Sequence, residues 1–295
     1  MLNHQDLDSL AELINLRQVG KFTPNLDYQE IFSLERLNQN LNYQHLIYPY
    51  VRLNNYKNTT SKLDLIEKSD NKHLNHLETR LSKKGIIYRL AKGDTLMIDS
   101  VDIFDKNVRE LTKFLADSFT TQVTSNLYYT FKNNVGINLH FDQHDVLALQ
   151  VHGKKKWNFV KNIIGNTANR VDLSQKPILN SDFVEVYSVD LEEGEFLFIP
   201  KGIWHYTETD HEHSSLHLAF GLQPPKKIDL IVFFIKSYLG SIGEENIYNM
   251  KPSDFESVFS EFVEQLNNGK INFDKEDFSK FLIQYRNQYT EIELT

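Results

Sequence analysis

Hydrophobic and polar positions follow different periods in different parts of the chain. Over residues 1–95 short helical patterns mix with strand-like pieces such as YPYVRLNN (Tyr48–Asn55) and GIIYRL (Gly85–Leu90). Phe104–Phe119 reads as a helix, because Val108, Leu111, Leu115 and Phe119 fall on one face. From Thr124 onward the texture changes to short runs rich in Val, Ile, Tyr and Phe: TSNLYYTF, GINLHF, DVLALQV, KKWNFV, VEVYSV, EFLFIP and SLHLAFGL. These read as strands. No helix of βαβ size separates them, so the expectation is an antiparallel sandwich or barrel of jelly-roll type rather than a doubly wound sheet.

After Pro224-Pro225 the period becomes helical again. Phe255, Val258, Phe259, Phe262 and Leu266 make one stripe, with Ser253 and Glu256 at capping-box spacing and Gly269 as C-cap. A further helix carries Phe278, Phe281, Leu282 and Tyr285 on one face, with Asp274 as its cap. The chain is therefore expected to be mainly β with flanking helices (α+β). A segment over 1–95 packs on the core, the jelly-roll core spans 96–222, and a helical appendage covers 223–295.

Composition removes several kinds of chemistry. The 295 residues include no cysteine, which excludes disulfides, thiolate metal sites and a Cys nucleophile, and leaves nitrogen and oxygen ligands. Forty acidic against 32 basic residues give a net charge of -8, and the one dense basic run, Lys154–Lys156, is too short for phosphate-driven nucleic-acid binding. The first residues, MLNHQDLDSLAELINL, lack the pattern of a secretory or transit signal, and the apolar run around Ile231–Ile235 is too short for a membrane helix. A cytoplasmic protein without a membrane or nucleic-acid partner is expected.

The sharpest chemical signal is Leu139-His140-Phe141-Asp142. On a strand, residues i and i+2 project from one face, so His140 and Asp142 converge. An H-x-D tripeptide alone is a common accident. Here, however, a later strand ends at Pro200, Lys201-Gly202 turns, and His205 opens the next segment as a third ligand. Two imidazoles and one carboxylate on one side of a metal form the facial triad of non-haem Fe(II) oxygenases.

With these residues in view, the stretch from Asn126 to Leu222 resembles the JmjC-type cupin oxygenases and is most similar to their ribosomal-oxygenase branch. SNLYYTF, HFDQHDVLALQVHGKKKW, GEFLFIPKGIWH and SSLHLAFGL carry the resemblance. It implies a double-stranded β-helix (cupin) core that uses Fe(II), 2-oxoglutarate and O2, with His140, Asp142 and His205 as metal ligands and catalytic centre. It implies that Lys155 pairs with the distal carboxylate of 2-oxoglutarate, and that Asn126 and Tyr128 reach the cosubstrate or its surroundings. Alternation puts Lys155 on the opposite face from Lys154 and Lys156, and a buried lysine requires an anionic partner. Among the other histidines, His217 reads as a hydrogen-bonded core residue near the triad's back wall, and His144, His152, His211 and His213 as loop or surface residues. Trp157 and Trp204 read as core or rim aromatics, and Asp145 as either substrate-facing or a loop residue.

The implied activity is hydroxylation of a C–H bond of an amino-acid side chain in a protein or peptide. The implied assembly is a homodimer through the C-terminal helices; the residues after Leu222 leave room for such a region but not for a following winged helix. Two other readings keep the barrel: a metal-dependent cupin of another class (a Zn or Mn isomerase, or a non-catalytic binding module), and a hydroxylase of free amino acids or other small molecules.

Overall fold

The computed structural model describes residues 1–42, 50–54, 66–71, 76–132, 134–161, 185–241, 256–257, 260, 262–264, 267–268 and 275–286. They fall into two compact units, Met1–Ser118 with Val123–Gln223, and Phe119–Gln122 with Pro224–Thr295.

The first unit is built on strands β1 (Gly20–Phe22), β2 (Val51–Asn54), β3 (Ile66–Asn71), β4 (His76–Leu81), β5 (Thr95–Ile98), β6 (Gln122–Thr130), β7 (Asp145–His152), β8 (Lys155–Lys161), β9 (Glu185–Leu191), β10 (Phe196–Ile199), β11 (Trp204–Glu208) and β12 (Ser215–Gln223). Seven of them form one sheet in the order β1-β10-β7-β12-β6-β5-β2, three form a second in the order β11-β8-β9, and β3 and β4 make a hairpin. Pairing is antiparallel in β1·β10, β10·β7, β7·β12, β5·β6 and β2·β5, and in both ladders of the smaller sheet. The sheets meet through one apolar cluster. Val146 and Ala148 of β7 and Leu197 and Ile199 of β10 pack with Trp157 and Phe159 of β8 and Leu191 of β9. This is the two-layered jelly roll expected of the strand pattern, and β1 and β2 from the first 95 residues form its outer edges.

Small residues open a cavity between the layers. Ala219 lies beside Ala148, and Gly221 beside Val146, across the β7·β12 ladder, and Val146, Ala219 and Gly221 all line the cavity. A larger side chain at Gly221 would collide with the His144 ring, whose Nε2 is 2.6 Å from where its Cβ would stand.

The helices of this unit begin on side-chain caps. Helix α1 (His4–Leu16) starts in a capping box between Asn3 and Asp6 and ends at Arg17 in a left-handed conformation. Helices α2 (Tyr28–Ile31) and α3 (Leu34–Asn42) follow. Helix α4 (Lys83–Ala91) corrects the strand-like reading of Gly85–Leu90. Ser82 accepts a hydrogen bond from the Gly85 amide, and Ile86 and Leu90 are buried while Ile87 and Tyr88 are exposed. That i, i+4 burial outweighs the local preference of two isoleucines and a tyrosine for a strand. Helix α5 (Lys106–Phe119) buries Val108, Leu111 and Leu115, and the Asp105 carboxylate accepts from the Asn107 and Val108 amides at its start.

A second correction concerns GINLHF, which is not a strand. The segment touches β11 only through bridges at Val135↔Glu208 and His140↔His205. Between them the Asn138 carbonyl accepts from the His140 ring, and among the described residues the two bridges are not joined into a continuous ladder.

In the second unit, α6 (Lys227–Ser241) and α7 (Lys275–Arg286) meet through Phe233 and Phe281, whose ring centroids are 5.4 Å apart. Phe281 is buried, Leu282 and Tyr285 are half-buried and Phe278 is exposed. Ile228, Ile231 and Val232 of α6 are exposed too. Of the stripe expected at Phe255–Leu266 only Phe262 is described, half-buried in a helical stretch; Phe255, Val258, Phe259, Leu266, the caps Ser253 and Gly269, and Asp274 lie outside the described residues.

Candidate metal centre

The bridge between His140 and His205 sets the geometry of the site. Each backbone amide donates to the other residue's carbonyl, at 3.0 and 2.8 Å, which brings the two rings side by side with centroids 4.4 Å apart. Both imidazoles are oriented by the same local device. Nδ1 of His140 lies 2.7 Å from the Asn138 carbonyl, and Nδ1 of His205 lies 2.9 Å from the Ile203 carbonyl. A carbonyl only accepts, so Nδ1 carries the proton in each ring and the Nε2 lone pairs are left to coordinate.

Asp142 closes the set. Its Oδ2 is 3.9 Å from Nε2 of His140 and 3.7 Å from Nε2 of His205, and one ligand atom from each of the three residues lies within 4.8 Å of the others. Burial, reinforced by the neighbouring His140, pulls the His205 imidazole down to about 4 against the opposing pull of Asp142. It is therefore neutral at neutral pH and able to donate a lone pair.

The ligands face a cavity lined also by Thr95, Asn126, Tyr128, Lys155, Trp157, Thr207 and His217. Lys155 is 1% exposed, and its ammonium donates to Thr130 Oγ1 at 2.8 Å. Thr130 Oγ1 is in turn 2.9 Å from Thr95 Oγ1. Burial lowers Lys155 to about 7, and among the described residues no carboxylate is paired with it. Its neighbours sit outside: Lys154 pairs with Asp190 and Glu192, and Lys156 is exposed.

Asn126 accepts from the Ser100 amide through Oδ1 and lines the cavity beside Tyr128. The Tyr128 hydroxyl is pushed up to about 12 by burial, with Asp142 and Asp99 adding to it, so it remains a protonated donor. Its ring stacks on His217 with centroids 5.0 Å apart. The structure thus brings His140, Asp142, His205, Lys155, Asn126 and Tyr128 around one cavity.

Other lining residues either carry no expectation from the sequence, as with Thr95 and Thr207, or were expected in the core or on the surface, as with Trp157, His217 and His144. Trp157 is two positions from Lys155 and Thr207 two from His205, and Thr130, which holds the Lys155 ammonium from behind the lining, is two from Tyr128. His144 is a loop residue but lines the cavity rather than the open surface. His217 departs from the satisfied core histidine expected of it: among the described residues its buried Nδ1 has no hydrogen-bond partner, and neither has Nε1 of Trp157. Asp145 faces away from the cavity and binds Arg17 and the Lys201 amide. His152 lies 3.3 Å from Glu193, His213 lies 3.2 Å from Asp210, and His211 is exposed.

This arrangement fits a metal with an acidic chelator. Two lone pairs and a carboxylate converge in it, while an ammonium without a carboxylate partner and an indole N–H without an acceptor, both among the described residues, line the same space. Comparison with known proteins agrees with that chemistry. Residues 102–230 match the JmjC domain family.

That match spans less than half of the chain, and solved neighbours share the jelly-roll fold of the core. The structure is similar to that of YcfD from Escherichia coli, with a TM-score of 0.54 at 15% identity, covering 100% of this chain and 75% of that one. A second YcfD structure, described as a ribosomal oxygenase in complex with cobalt and 2-oxoglutarate, gives 0.54 at 16% identity over 95% of this chain and 71% of that one. In sequence the chain is 26% identical over 200 residues to the uncharacterized protein YxbC of Bacillus subtilis (strain 168), covering 59% of this chain and 60% of that protein. It is 27% identical over 216 residues to the bifunctional lysine-specific demethylase and histidyl-hydroxylase NO66 of Dictyostelium discoideum, covering 72% of this chain and 34% of that protein. The JmjC segment is thus shared with relatives of which this chain matches less than two thirds.

Proposed function

We propose that this protein is an Fe(II)- and 2-oxoglutarate-dependent oxygenase that hydroxylates a C–H bond of an amino-acid side chain in a protein or peptide. The observation that carries the reading is the shared cavity, with an His/His/Asp ligand set at one end and the buried Lys155 ammonium, without a carboxylate partner among the described residues, also on its wall. His140, His205 and Asp142 would hold the metal as catalytic residues. Lys155 would pair with the distal carboxylate of 2-oxoglutarate, a point charge in an otherwise water-poor site. Tyr128 would offer its hydroxyl, and Asn126, also on the cavity wall, would reach the cosubstrate or its surroundings. When bound, Fe(II), 2-oxoglutarate and O2 supply the oxidising power for hydroxylation, with succinate and CO2 as co-products.

The chain's own contribution is positioning. The two Nδ1–H···O=C contacts hold each imidazole in one tautomer and one orientation. Trp157 and Phe159 pack beside His205 and exclude water from that side. A protein or peptide substrate is supported by the descriptions of YcfD as a ribosomal oxygenase and of NO66 as a histidyl-hydroxylase. The net charge of -8 suits a basic one. The same proposal includes a cytoplasmic location and a homodimer, the latter supported by the exposed Ile228, Ile231 and Val232 on α6. Among the described residues no helix is long and apolar enough to cross a membrane.

The test is incubation of the Fe(II) protein with 2-oxoglutarate, O2 and cell peptide extracts, followed by mass spectrometry for a 2-oxoglutarate-dependent gain of one oxygen atom. His140→Ala and His205→Ala should each abolish stoichiometric Fe(II) binding and turnover. Full 2-oxoglutarate consumption by both variants would overturn the assignment.

A further inference from the structure

We infer that Asp145, gripped by Arg17, is a positioning residue that holds two of the three metal ligands in place. The inference rests on the reading of His140, Asp142 and His205 as a metal centre. Asp145 is 7% exposed and does not line the cavity, whereas its neighbour Val146 does. Its carboxylate nonetheless makes three short contacts. Arg17 donates from Nη1 to Oδ2 and from Nη2 to Oδ1, both at 2.7 Å, and the Lys201 amide donates to Oδ1, also at 2.7 Å. A fork-on-fork pair with a backbone amide added is a strong, directional arrangement, unlike a single surface ion pair.

The Lys201 amide is the point at which this carboxylate reaches the metal centre. Lys201 and Gly202 form the turn between β10 and β11, and Gly202 adopts a φ of +85°, which glycine tolerates freely. The Gly202 amide donates to the Asp142 carbonyl at 3.0 Å, and the Ile203 carbonyl one residue later orients the His205 ring. One short turn therefore tethers the backbone of Asp142 and supplies the carbonyl that aims His205. Asp145 holds that turn at its first residue.

Arg17 is held as tightly on its other side. It occupies a left-handed conformation, φ 53° and ψ 41°, at the C-cap of α1, with its amide bonded to the Ile14 and Leu13 carbonyls. A non-glycine residue keeps such a conformation where its surroundings over-determine it, and the bidentate pair to Asp145 is one of the contacts that do so. The end of α1 is thereby coupled to the metal centre through one carboxylate. Partners that orient metal ligands without touching the metal commonly change metal affinity by roughly 10–100-fold when removed.

Anaerobic titration with Co(II), read by its visible d–d absorption, tests this without turnover. Arg17→Ala and Asp145→Ala should each weaken Co(II) binding by roughly 10-fold or more and alter the band shape, because the ligand geometry changes as well as the affinity. Asp145→Asn retains an acceptor for the Lys201 amide and should recover much of the loss. Lys21→Ala, which removes the Lys21–Glu195 ion pair at the sheet edge, should leave both readouts unchanged. If Asp145→Ala does not fold, Arg17→Lys decides, since it keeps the charge but not the fork. Wild-type affinity and spectrum in the Arg17 and Asp145 variants would overturn the inference while leaving the metal centre intact. Failure of the wild-type protein to bind Co(II), or binding that survives His140→Ala and His205→Ala, would instead overturn the metal-centre reading and this inference with it.

Discussion

Replacing Lys155 by methionine should make the empty protein more stable and its ligand binding worse. Among the described residues the ammonium has one hydrogen bond, to Thr130, and burial lowers its pKa from 10.5 to about 7. The folded value lies below the unfolded one, so the cost of burying the charge is full below pH 7 and fades as pH rises towards about 10. A difference of that size is worth roughly 4–5 kcal/mol at and below neutral pH. Methionine fills a similar volume without that cost, and Thr130 keeps its contact with Thr95 at 2.9 Å. Allowing for relaxation around the lysine, Lys155→Met should stabilise the metal-free protein by roughly 3 kcal/mol at pH 7, a rise of about 6–12 °C in unfolding midpoint for a unit of this size. The advantage should shrink between pH 7 and 9. Anaerobic calorimetry with 2-oxoglutarate on the Fe(II) protein should show the opposite ranking. The variant should lose about 100-fold in affinity with a buried charge-assisted contact, and wild-type binding should weaken by up to about tenfold per pH unit above pH 7, as the free lysine loses its proton. A less stable Lys155→Met at pH 7 with unchanged 2-oxoglutarate affinity, or an equal loss in Lys154→Met, would refute the reasoning.

Three further substitutions probe separate parts of the molecule. At Gly136 an added Cβ would stand 2.4 Å from Thr207 Oγ1 and 3.0 Å from Lys155 Nζ; Gly136→Ala should weaken 2-oxoglutarate binding several-fold in a calorimetric titration and leave Co(II) affinity near wild type. Gly153 has a φ of +66°, and a Cβ there would lie 1.9 Å from the Ser214 carbonyl oxygen; Gly153→Ala should lower stability by roughly 2–4 kcal/mol in urea unfolding, and an unchanged midpoint would contradict the geometry. If α6 forms the proposed homodimer interface, light scattering should give twice 34.6 kDa and Ile231→Glu should return the mass to that of one chain; a concentration-independent monomer in the wild type would reject the dimer.

What the sequence disclosed depended on how regular each element is. Strand β7 and its partners were legible because their apolar runs are uninterrupted, and α5 because its stripe is. GINLHF has a strand-like composition but pairs with β11 only at its ends, and that break depends on hydrogen bonds between residues far apart in sequence. The i, i+2 reasoning for His140 and Asp142 still picked two residues that the fold brings together with His205, since the bridge at His140 fixes one residue and the loop carries the other back towards His205. Period 2 along β6, β8, β11 and β12, followed from the chosen residues, would also have found Thr130, Trp157, Thr207 and the lining of β12. Thr95 and Asp145 offered no such signal. Thr95 reaches the site by pairing in space with Thr130, and Asp145 by a carboxylate that gathers an arginine and an amide from distant segments.

The run Lys154-Lys155-Lys156 shows how fold resolves what composition leaves degenerate. Three identical side chains in a row carry no local preference for which one is buried. The choice is made downstream, where Trp157 and Phe159 must face the apolar cluster between the sheets. Period 2 then sends Lys155 to the same face as Trp157 and turns Lys156 outward. There Lys156 lies between Glu208 of β11 and Asp190 of β9 in the two flanking ladders, an arrangement that favours its charge. A one-residue slip of β8 would expose the two aromatics, pull Lys156 away from both acids and put a different ammonium into the cavity. The packing of Trp157 and Phe159 therefore also selects the cation that lines the cavity. Substitutions that loosen those aromatics should impair 2-oxoglutarate binding even though Lys155 itself is unchanged.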